Sequence, residues 1–246
     1  MDCYKEFAQI YDELIKEDID YHSWGSFIMD AVNIHNVKKN DYLDLACGTG
    51  NITEIISKYF KTTWAVDLSS DMLAEAEIKL RSNGIKGNFI EQDISKLELD
   101  RKFDLITCCL DSINYLTNTK DVESYFLKVY NHLKEDGIFI FDINSYYKIT
   151  EILGNNTYTY DSEKVFYTWE NYLEKDIVEM YLTFFIKKTN DYYKRFDEIH
   201  RERAYKMEWL EELIKKNNFR IIGKFNGYEF KDIEKKSERI VYILKK

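Results

Sequence analysis

Two patterns of apolar residues alternate over the first 145 residues and indicate strands separated by helices. Residues 42–46, 64–66 and 138–143 form short, nearly continuous apolar runs, which are typical of parallel strands buried on both faces. After the first run, and again over 121–134, apolar residues recur every three or four positions, as on one face of a helix. This alternation predicts an α/β fold with a mainly parallel sheet.

The remaining core elements are predicted from the same patterns. We expect residues 1–40 to form two helices, which either pack on the sheet edge or close over a site as an N-terminal lid. A further helix is expected over 207–218. Further strands are expected at 88–92, within 102–115 before an exit loop, at 219–225 and at 239–244.

Residues 146–203 interrupt this alternation. Period-two patterns rich in Tyr, Phe, Thr, Val and Ile predict strands at 165–172, 177–187 and 192–205. Their connections are too short for crossover helices, so the strands should pair antiparallel. Ten of the 20 tyrosines lie within residues 146–205. We expect an inserted antiparallel β subdomain that covers a substrate or forms the contact surface of a homodimer, with 1–145 and 204–246 forming the core.

The stretch from residue 41 to residue 67 combines a strand, a glycine loop, a helix and a second strand that ends on Asp67. Gly48 and Gly50 let a ligand lie against the backbone and let the loop adopt positive φ. The first N–H groups of the following helix are unpaired and face such a ligand. An acid at the position of Asp67 can accept hydrogen bonds from both ribose hydroxyls. The unit therefore predicts a nucleoside site.

The glycine spacing distinguishes between cofactors. A dinucleotide fingerprint requires a third glycine, but Thr53 occupies that position. The pattern Asp44-x-Ala46-x-Gly48-x-Gly50 resembles the first motif of class I S-adenosylmethionine-dependent methyltransferases. The resemblance implies a Rossmann-like seven-stranded sheet with an antiparallel last strand, flanked by helices, and S-adenosyl-L-methionine as the only cofactor.

The resemblance also implies roles for residues after each strand. Leu68 and Met72 would flank the adenosine, Asp93 would accept from the adenine amino group, and Ile94 would pack on the ring. Cys109 would lie near the methionine half, and Tyr11 in the sequence Phe7-Ala8-x-x-Tyr11-Asp12 would belong to the lid. The cofactor-binding residues expected are Tyr11, Asp44, Ala46, Cys47, Gly48, Gly50, Asp67, Leu68, Met72, Asp93, Ile94 and Cys109.

Polar residues near the expected methyl group supply the catalytic candidates. These are Tyr11, Asp111, Asn114 and Tyr205, with Asn144 and His200 as further candidates. None is assigned as a general base. Arg201 and Arg203 either hold a substrate carboxylate or pair with Glu198 and Glu202 on the surface, and we favour the surface pairs.

The amino-acid composition limits the classes of molecule that the protein is expected to bind. The net charge of −9 argues against broad binding to nucleic acid or an anionic membrane. The absence of proline excludes the Asp/Asn-Pro-Pro-aromatic and Pro-Cys motifs of several nucleic-acid methyltransferases. The four cysteines lack metal-ligand spacing, so no metal is expected. A charged start without an apolar core and the lack of an 18-residue apolar run predict a cytoplasmic protein with free thiols.

We therefore expect an enzyme that transfers methyl groups to an N or O atom of a small molecule. An RNA methyltransferase, acting on tRNA or rRNA, is one alternative. Another is a non-catalytic S-adenosylmethionine-binding or assembly protein that uses the tyrosine-rich sheet as an interface. A nicotinamide oxidoreductase is disfavoured by Thr53.

Overall fold

A computed structural model describes residue 12, residues 19–188 and residues 192–246. Apart from residue 12, which is helical, the first predicted helix lies outside the described residues. The second is α1 (Tyr21–Ile34). The other α-helices are α2 (Asn51–Ser57), α3 (Ser70–Ser82), α4 (Thr119–His132) and α5 (Met207–Lys216). None of the helices in the described part of the chain is long and apolar enough to cross a membrane.

Seven strands form the main sheet. They are β1 (Asp41–Leu45), β2 (Thr62–Asp67), β3 (Asn88–Glu91), β4 (Phe103–Cys108), β5 (Leu133–Asn144), β10 (Arg220–Asn226) and β11 (Arg239–Lys245). Their order is β10-β11-β5-β4-β1-β2-β3. Strand β11 runs antiparallel to both β5 and β10, whereas the other pairs are parallel. The predicted seven-stranded sheet with its antiparallel last strand is confirmed.

Both faces of this sheet are covered. Along β5, Phe139 and Phe141 point into a core with α4 and α5, whereas Ile138 and Ile140 point into a core with α1 and α2. Successive side chains of a strand point to opposite faces, so a strand between two cores must be apolar throughout. This explains why β5 and the fully buried β1 lack the alternation of a half-exposed strand.

A second, four-stranded antiparallel sheet has the order β6-β7-β8-β9. Its strands are β6 (Thr157–Asp161), β7 (Val165–Glu174), β8 (Ile177–Lys187) and β9 (Tyr193–Arg203). The predicted inserted sheet is confirmed, but β6 and the π-helix Lys148–Leu153 that precedes it were not predicted. Strand β6 is short and its tyrosines alternate with Thr and Asp, so its apolar signal is weak.

The amino ends of β1 and β4 are held by a charged cluster. Asp41 accepts hydrogen bonds from Lys134 Nζ at 2.5 Å, Arg101 Nη2 at 2.7 Å and Thr62 Oγ1 at 2.7 Å. Its backbone N–H donates to Asp104 Oδ2 at 2.9 Å. Burial alone would raise the pKa of Asp41, but these donors lower it to about 2. The cluster lies at the end of the sheet opposite the carboxyl ends of the parallel strands.

Candidate functional site

A cavity of about 780 Å³ lies between the carboxyl ends of the core strands and the inner face of the inserted sheet. The loops after β1, β2, β3 and β4 line one side of it. The inserted sheet lines the other side with Tyr167, Trp169, Met180, Leu182 and Phe184. Ligands of open parallel sheets bind at this end of the strands. Residues that are far apart in the sequence therefore line one cavity. Its wall is mostly polar at the strand ends and mostly apolar on the side of the inserted sheet.

The glycine loop begins with strained backbone. Ala46 has φ of 51°, and Gly48 and Gly50 have φ of 54° and 79°. A Cβ on Gly48 would meet no atom within 4 Å, whereas a Cβ on Gly50 would lie 3.0 Å from the Cβ of Ala76. Gly48 lines the cavity, and Gly50 does not. Gly48 therefore leaves space for a ligand, and Gly50 lets α2 approach α3.

Asp44 lies below this loop and is almost fully buried. Its carboxylate accepts from Thr53 Oγ1 at 2.5 Å and from Thr107 Oγ1 at 2.7 Å. Burial raises the pKa of Asp44 to about 6, against the effect of these hydroxyls. Thr53, which occupies the third-glycine position of a dinucleotide fingerprint, thus donates to a carboxylate that reaches the cavity.

Asp67 ends β2 and faces the cavity. Its Oδ2 accepts from the Gly48 N–H at 2.8 Å, and its Oδ1 accepts from the Ser69 N–H at 2.9 Å. Burial raises the pKa of Asp67, and these backbone donors oppose the shift. A carboxylate oxygen can accept more than one hydrogen bond, so both oxygens keep capacity for a ligand.

The next loops complete this half of the cavity. Leu68, Met72, Asp93 and Ile94 all line it. Asp93 Oδ1 accepts from the backbone N–H and hydroxyl of Ser95 at 2.9 and 2.7 Å. Burial raises the pKa of Asp93, but these hydrogen bonds and the Lys96 ammonium lower it overall, so the group stays ionised.

The N-terminal segment contacts the glycine loop through Asp12. Its carboxylate accepts from Thr49 Oγ1 at 2.6 Å, Asn51 Nδ2 at 2.9 Å and Lys79 Nζ at 2.6 Å. Burial raises the pKa of Asp12, but the three donors hold it below its ordinary value. Tyr11, expected in both the lid and the catalytic group, lies outside the described residues.

A second strained loop follows β4. Leu110 and Asp111 have φ of 60° and 48°. Asp111 Oδ1 lies 2.7 Å from Arg239 Nη2, and the same guanidinium binds Asp142. Arg239 also lies over the Trp24 ring at 5.2 Å. The loop is thereby tied to β5, β11 and α1.

The two thiols beside this loop are not activated. Cys108 and Cys109 are buried, and burial raises the pKa of each. Cys109 lines the cavity, and Cys47 does so from the glycine loop with a pKa that burial also raises. A reactive thiolate needs a lowered pKa, so the three cysteines act as small apolar residues here.

Two of the predicted catalytic residues do not reach the cavity. Asn114 is fully buried and donates from Nδ2 to the carbonyls of Asn144 and Arg203 at 3.2 and 2.9 Å. The Tyr205 hydroxyl donates to the Leu116 carbonyl. Both side chains hold the insert against the β4 loop, so neither is placed to touch a substrate.

Strand β9 brings three acidic or basic side chains to the inner face of the insert. Glu198 and Glu202 are 3% exposed, and His200 lies between them on the same face. His200 and Glu202 line the cavity. The neighbouring outward residue, Arg201, pairs with Glu179 instead. The expected surface pairing of Arg201 and Arg203 with Glu198 and Glu202 is wrong, because strand alternation places the two glutamates inside.

Glu202 was missed as a site residue. Asn144 Nδ2 donates to its Oε2 at 3.0 Å. Burial, and next the charge of Asp111, raise the pKa of Glu202 to about 8. The alternation Glu198-x-His200-x-Glu202 along a predicted strand was the available signal. No sequence pattern indicated Arg239, Trp24 or Lys148, which also line the cavity.

Comparison with known proteins gives concordant findings. A family model described as a methyltransferase domain matches residues 43–137. The crystal structure of an S-adenosylmethionine-dependent methyltransferase from Clostridium acetobutylicum ATCC 824 is 54% identical, with a TM-score of 0.94 over 99% of this chain and 98% of that one. A Geobacillus sp. (strain WCH70) protein, named as a methyltransferase without a stated acceptor, is 31% identical over 99% of both chains.

A more distant relative has a named acceptor. The dTDP-3-amino-3,4,6-trideoxy-alpha-D-glucopyranose N,N-dimethyltransferase of Streptomyces venezuelae is 29% identical over 136 residues, which cover 55% of this chain and 56% of that protein.

Proposed function

The chain belongs to the S-adenosylmethionine-dependent methyltransferases, and from this premise we propose that it methylates an N or O atom of a small molecule held beneath the inserted sheet. The observation that carries the proposal is the single cavity shared by the glycine loop and the apolar face of the insert. One chamber can hold donor and acceptor side by side. Such proximity is the main requirement of a direct displacement.

The residues of the core side fit S-adenosylmethionine. The open space above Gly48 leaves room for a ligand against the backbone. Asp67 offers acceptor capacity for ribose hydroxyls, and Asp93 offers it for an adenine amino group. Leu68, Met72 and Ile94 provide apolar contacts on either side. When bound, S-adenosylmethionine would supply a methyl group on a positively charged sulfur, which would leave as a neutral thioether when a lone pair of the acceptor attacks the methyl carbon.

The protein's own residues would bind, orient and exclude water. Asp111 is fixed by Arg239, and Asn144 is fixed by Asn114, so the polar wall of the cavity is held in place before a substrate arrives. The inner face of the insert excludes water from the acceptor side with Trp169, Met180 and other apolar groups. Preorganised polar groups beside an excluded-water region favour transfer over hydrolysis.

Two features support a small acceptor. The insert covers one side of the cavity, so an acceptor would lie between the strand ends and the inner face of the insert. The net charge of −9 disfavours an RNA substrate, whose phosphates are bound through lysine and arginine. The S. venezuelae relative is named for an amino sugar linked to dTDP, which is a small-molecule acceptor. We also propose that residues 146–203 form the substrate cover.

Calorimetry with S-adenosylmethionine, S-adenosylhomocysteine and NAD in parallel tests the donor. We expect micromolar binding of the first two and none of NAD. The same protein is then incubated with methyl-labelled donor and a panel of small amines, phenols and alcohols, and separately with tRNA. Labelling of tRNA but of no small molecule would contradict the proposal, as would donor binding without transfer to any acceptor class.

A further inference from the structure

The acceptor side of the cavity contains a buried carboxylate that forms no ion pair with the described residues. Glu202 is 3% exposed, and Asn144 Nδ2 is its hydrogen-bond donor among the described residues. The guanidinium of Arg239, whose charge acts on Glu202, is already shared by Asp111 and Asp142. A buried charge normally needs a paired partner. Glu202 lines the cavity, so a positively charged group of a bound ligand could pair with it there.

A second acceptor lies beside it. The Asn144 side chain is 4% exposed, and its Oδ1 has no hydrogen-bond partner among the described residues. Its backbone N–H donates to Asn114 Oδ1 at 3.0 Å, and its carbonyl accepts from Asn114 Nδ2, so its position is fixed. A buried polar atom without a hydrogen-bond partner is rare, and a bound ligand that donates a hydrogen bond would satisfy it. Asn144 therefore orients Glu202 with one end of its amide and presents an acceptor with the other.

The charges around the pair favour a cation. Asp111 faces Glu202 from the β4 loop, Lys148 from the π-helix and Arg239 from β11. His200, on the same strand, has its pKa lowered by burial and is neutral at physiological pH. With Arg239 bound by two carboxylates, an ionised Glu202 leaves the pocket with excess negative charge. A carboxylate or phosphate on the acceptor would be repelled, and a hydroxyl could donate to only one of the two acceptors.

We propose that Glu202 and Asn144 bind the protonated amino group of the methyl acceptor, and that Glu202 takes the proton which this group must lose. The inference rests on the proposed function and deepens it by naming the acceptor as a primary or secondary amine. Trp169, Met180 and Leu182 line the part of the cavity that would hold its apolar portion.

The proton step balances without a further reactant. One N–H bond of the ammonium breaks and an O–H bond forms on Glu202, which leaves a neutral amine with its lone pair and a neutral carboxylic acid. The acid later releases this proton to solvent. Transfer from a lysine-like ammonium to an ordinary glutamate is unfavourable by roughly 10⁶. Burial disfavours the charged form of Glu202 and raises its pKa, which narrows this gap.

Calorimetry on the full chain with S-adenosylhomocysteine present tests the proposal. The probes are 2-phenylethylamine and its uncharged counterpart 2-phenylethanol, titrated at pH 7 in phosphate and in MOPS, neither of which is a primary or secondary amine. Binding of an ammonium stabilises the ionised form of Glu202, so the amine should release close to one proton, seen as a buffer-dependent heat. The alcohol should release none and bind at least about tenfold more weakly.

The matched variants are Glu202→Gln and Glu170→Gln, the latter on the exposed outer face of β7. We expect Glu202→Gln to lose the proton release and the preference for amine, with its affinity for S-adenosylhomocysteine unchanged within about twofold. Glu170→Gln should match the parent protein. Equal binding of amine and alcohol, or an amine response that survives in Glu202→Gln, overturns the proposal. Failure of S-adenosylhomocysteine to bind overturns the proposed function itself, so the two failures are distinguishable.

Discussion

Replacing Gly48 and Gly50 by alanine, one at a time, should separate ligand binding from folding within a single loop. Both residues have positive φ, at 54° and 79°, so each alanine costs about 1–2 kcal/mol in backbone strain. Reduced freedom of the unfolded chain returns about 0.4–1 kcal/mol. The net cost of the backbone alone is therefore about 1 kcal/mol at either position.

The environments of the two added methyl groups differ. At Gly50 the new Cβ would lie 3.0 Å from Ala76 Cβ and 3.3 Å from Leu80 Cδ1, between α2 and α3. Such overpacking adds about 1–3 kcal/mol, for a total of about 2–4 kcal/mol. At Gly48 the methyl group meets no atom within 4 Å. It would occupy the space in which we place the donor, so binding rather than stability should be lost.

Urea unfolding and calorimetry with S-adenosylhomocysteine measure the two effects. Gly84→Ala is the control, because Gly84 has φ of 71° and open space around its Cβ, but lies at the end of α3 away from the cavity. We expect Gly48→Ala to match Gly84→Ala in stability but to bind at least about tenfold more weakly. Gly50→Ala should be less stable than both and, where folded, should keep most of its affinity. Equal destabilisation of all three variants would refute the packing argument, and full binding by Gly48→Ala would refute the placement of the donor.

Three further perturbations test other parts of the molecule. Asp67→Ala should weaken S-adenosylhomocysteine binding by about 1–3 kcal/mol in calorimetry, because a charge-assisted acceptor is lost, and unchanged affinity would remove the ribose assignment. Thr53→Val deprives the buried carboxylate of Asp44 of one donor and should lower the free energy of unfolding in urea by about 1–3 kcal/mol, whereas a neutral effect would show that water replaces the hydroxyl. The pKa of Asp41 in the folded protein is about 2, below its ordinary value of 3.8. Asp41 therefore contributes about 2.5 kcal/mol to the free energy of unfolding above pH 3.8, and this contribution is lost as the pH falls towards 2. Acid unfolding of Asp41→Asn should lack this component, and identical acid profiles would contradict it.

The sequence predicted the core, and most of the residues expected to bind the donor line one cavity, because both depend on local patterns. The apolar runs at β1 and β5 and the helical spacing of α4 identify layers that must pack on one another. The glycines, Asp67 and Asp93 lie at fixed intervals after strands, and parallel strands bring their carboxyl ends together. The cap at Ser69 and the positive φ of Gly84 likewise follow from residue type at a helix end.

The acceptor side was harder to predict because it depends on contacts distant in sequence. Asn114 and Asn144 differ by 30 positions, and Asn144 and Glu202 by 58. Whether Glu202 faced solvent or the cavity depended on the face that β9 turns inward, which a charged strand does not reveal. Asn114 looked like a substrate ligand because it follows β4, but its amide is used by backbone groups.

The position of Arg239 makes one wall of the cavity depend on elements that are distant in the sequence. The glycine loop, Asp44 and Asp67 belong to consecutive elements around β1 and β2, which pair with each other. The β4 loop, by contrast, forms an ion pair with a residue of β11, which lies in the sheet between β5 and β10. Among the described residues, the charges of Asp111 and Asp142 are therefore neutralised by a side chain that follows them by about a hundred positions. The conformation of the β4 loop depends on the pairing of β11, whereas that of the glycine loop depends on its own neighbours in the sequence.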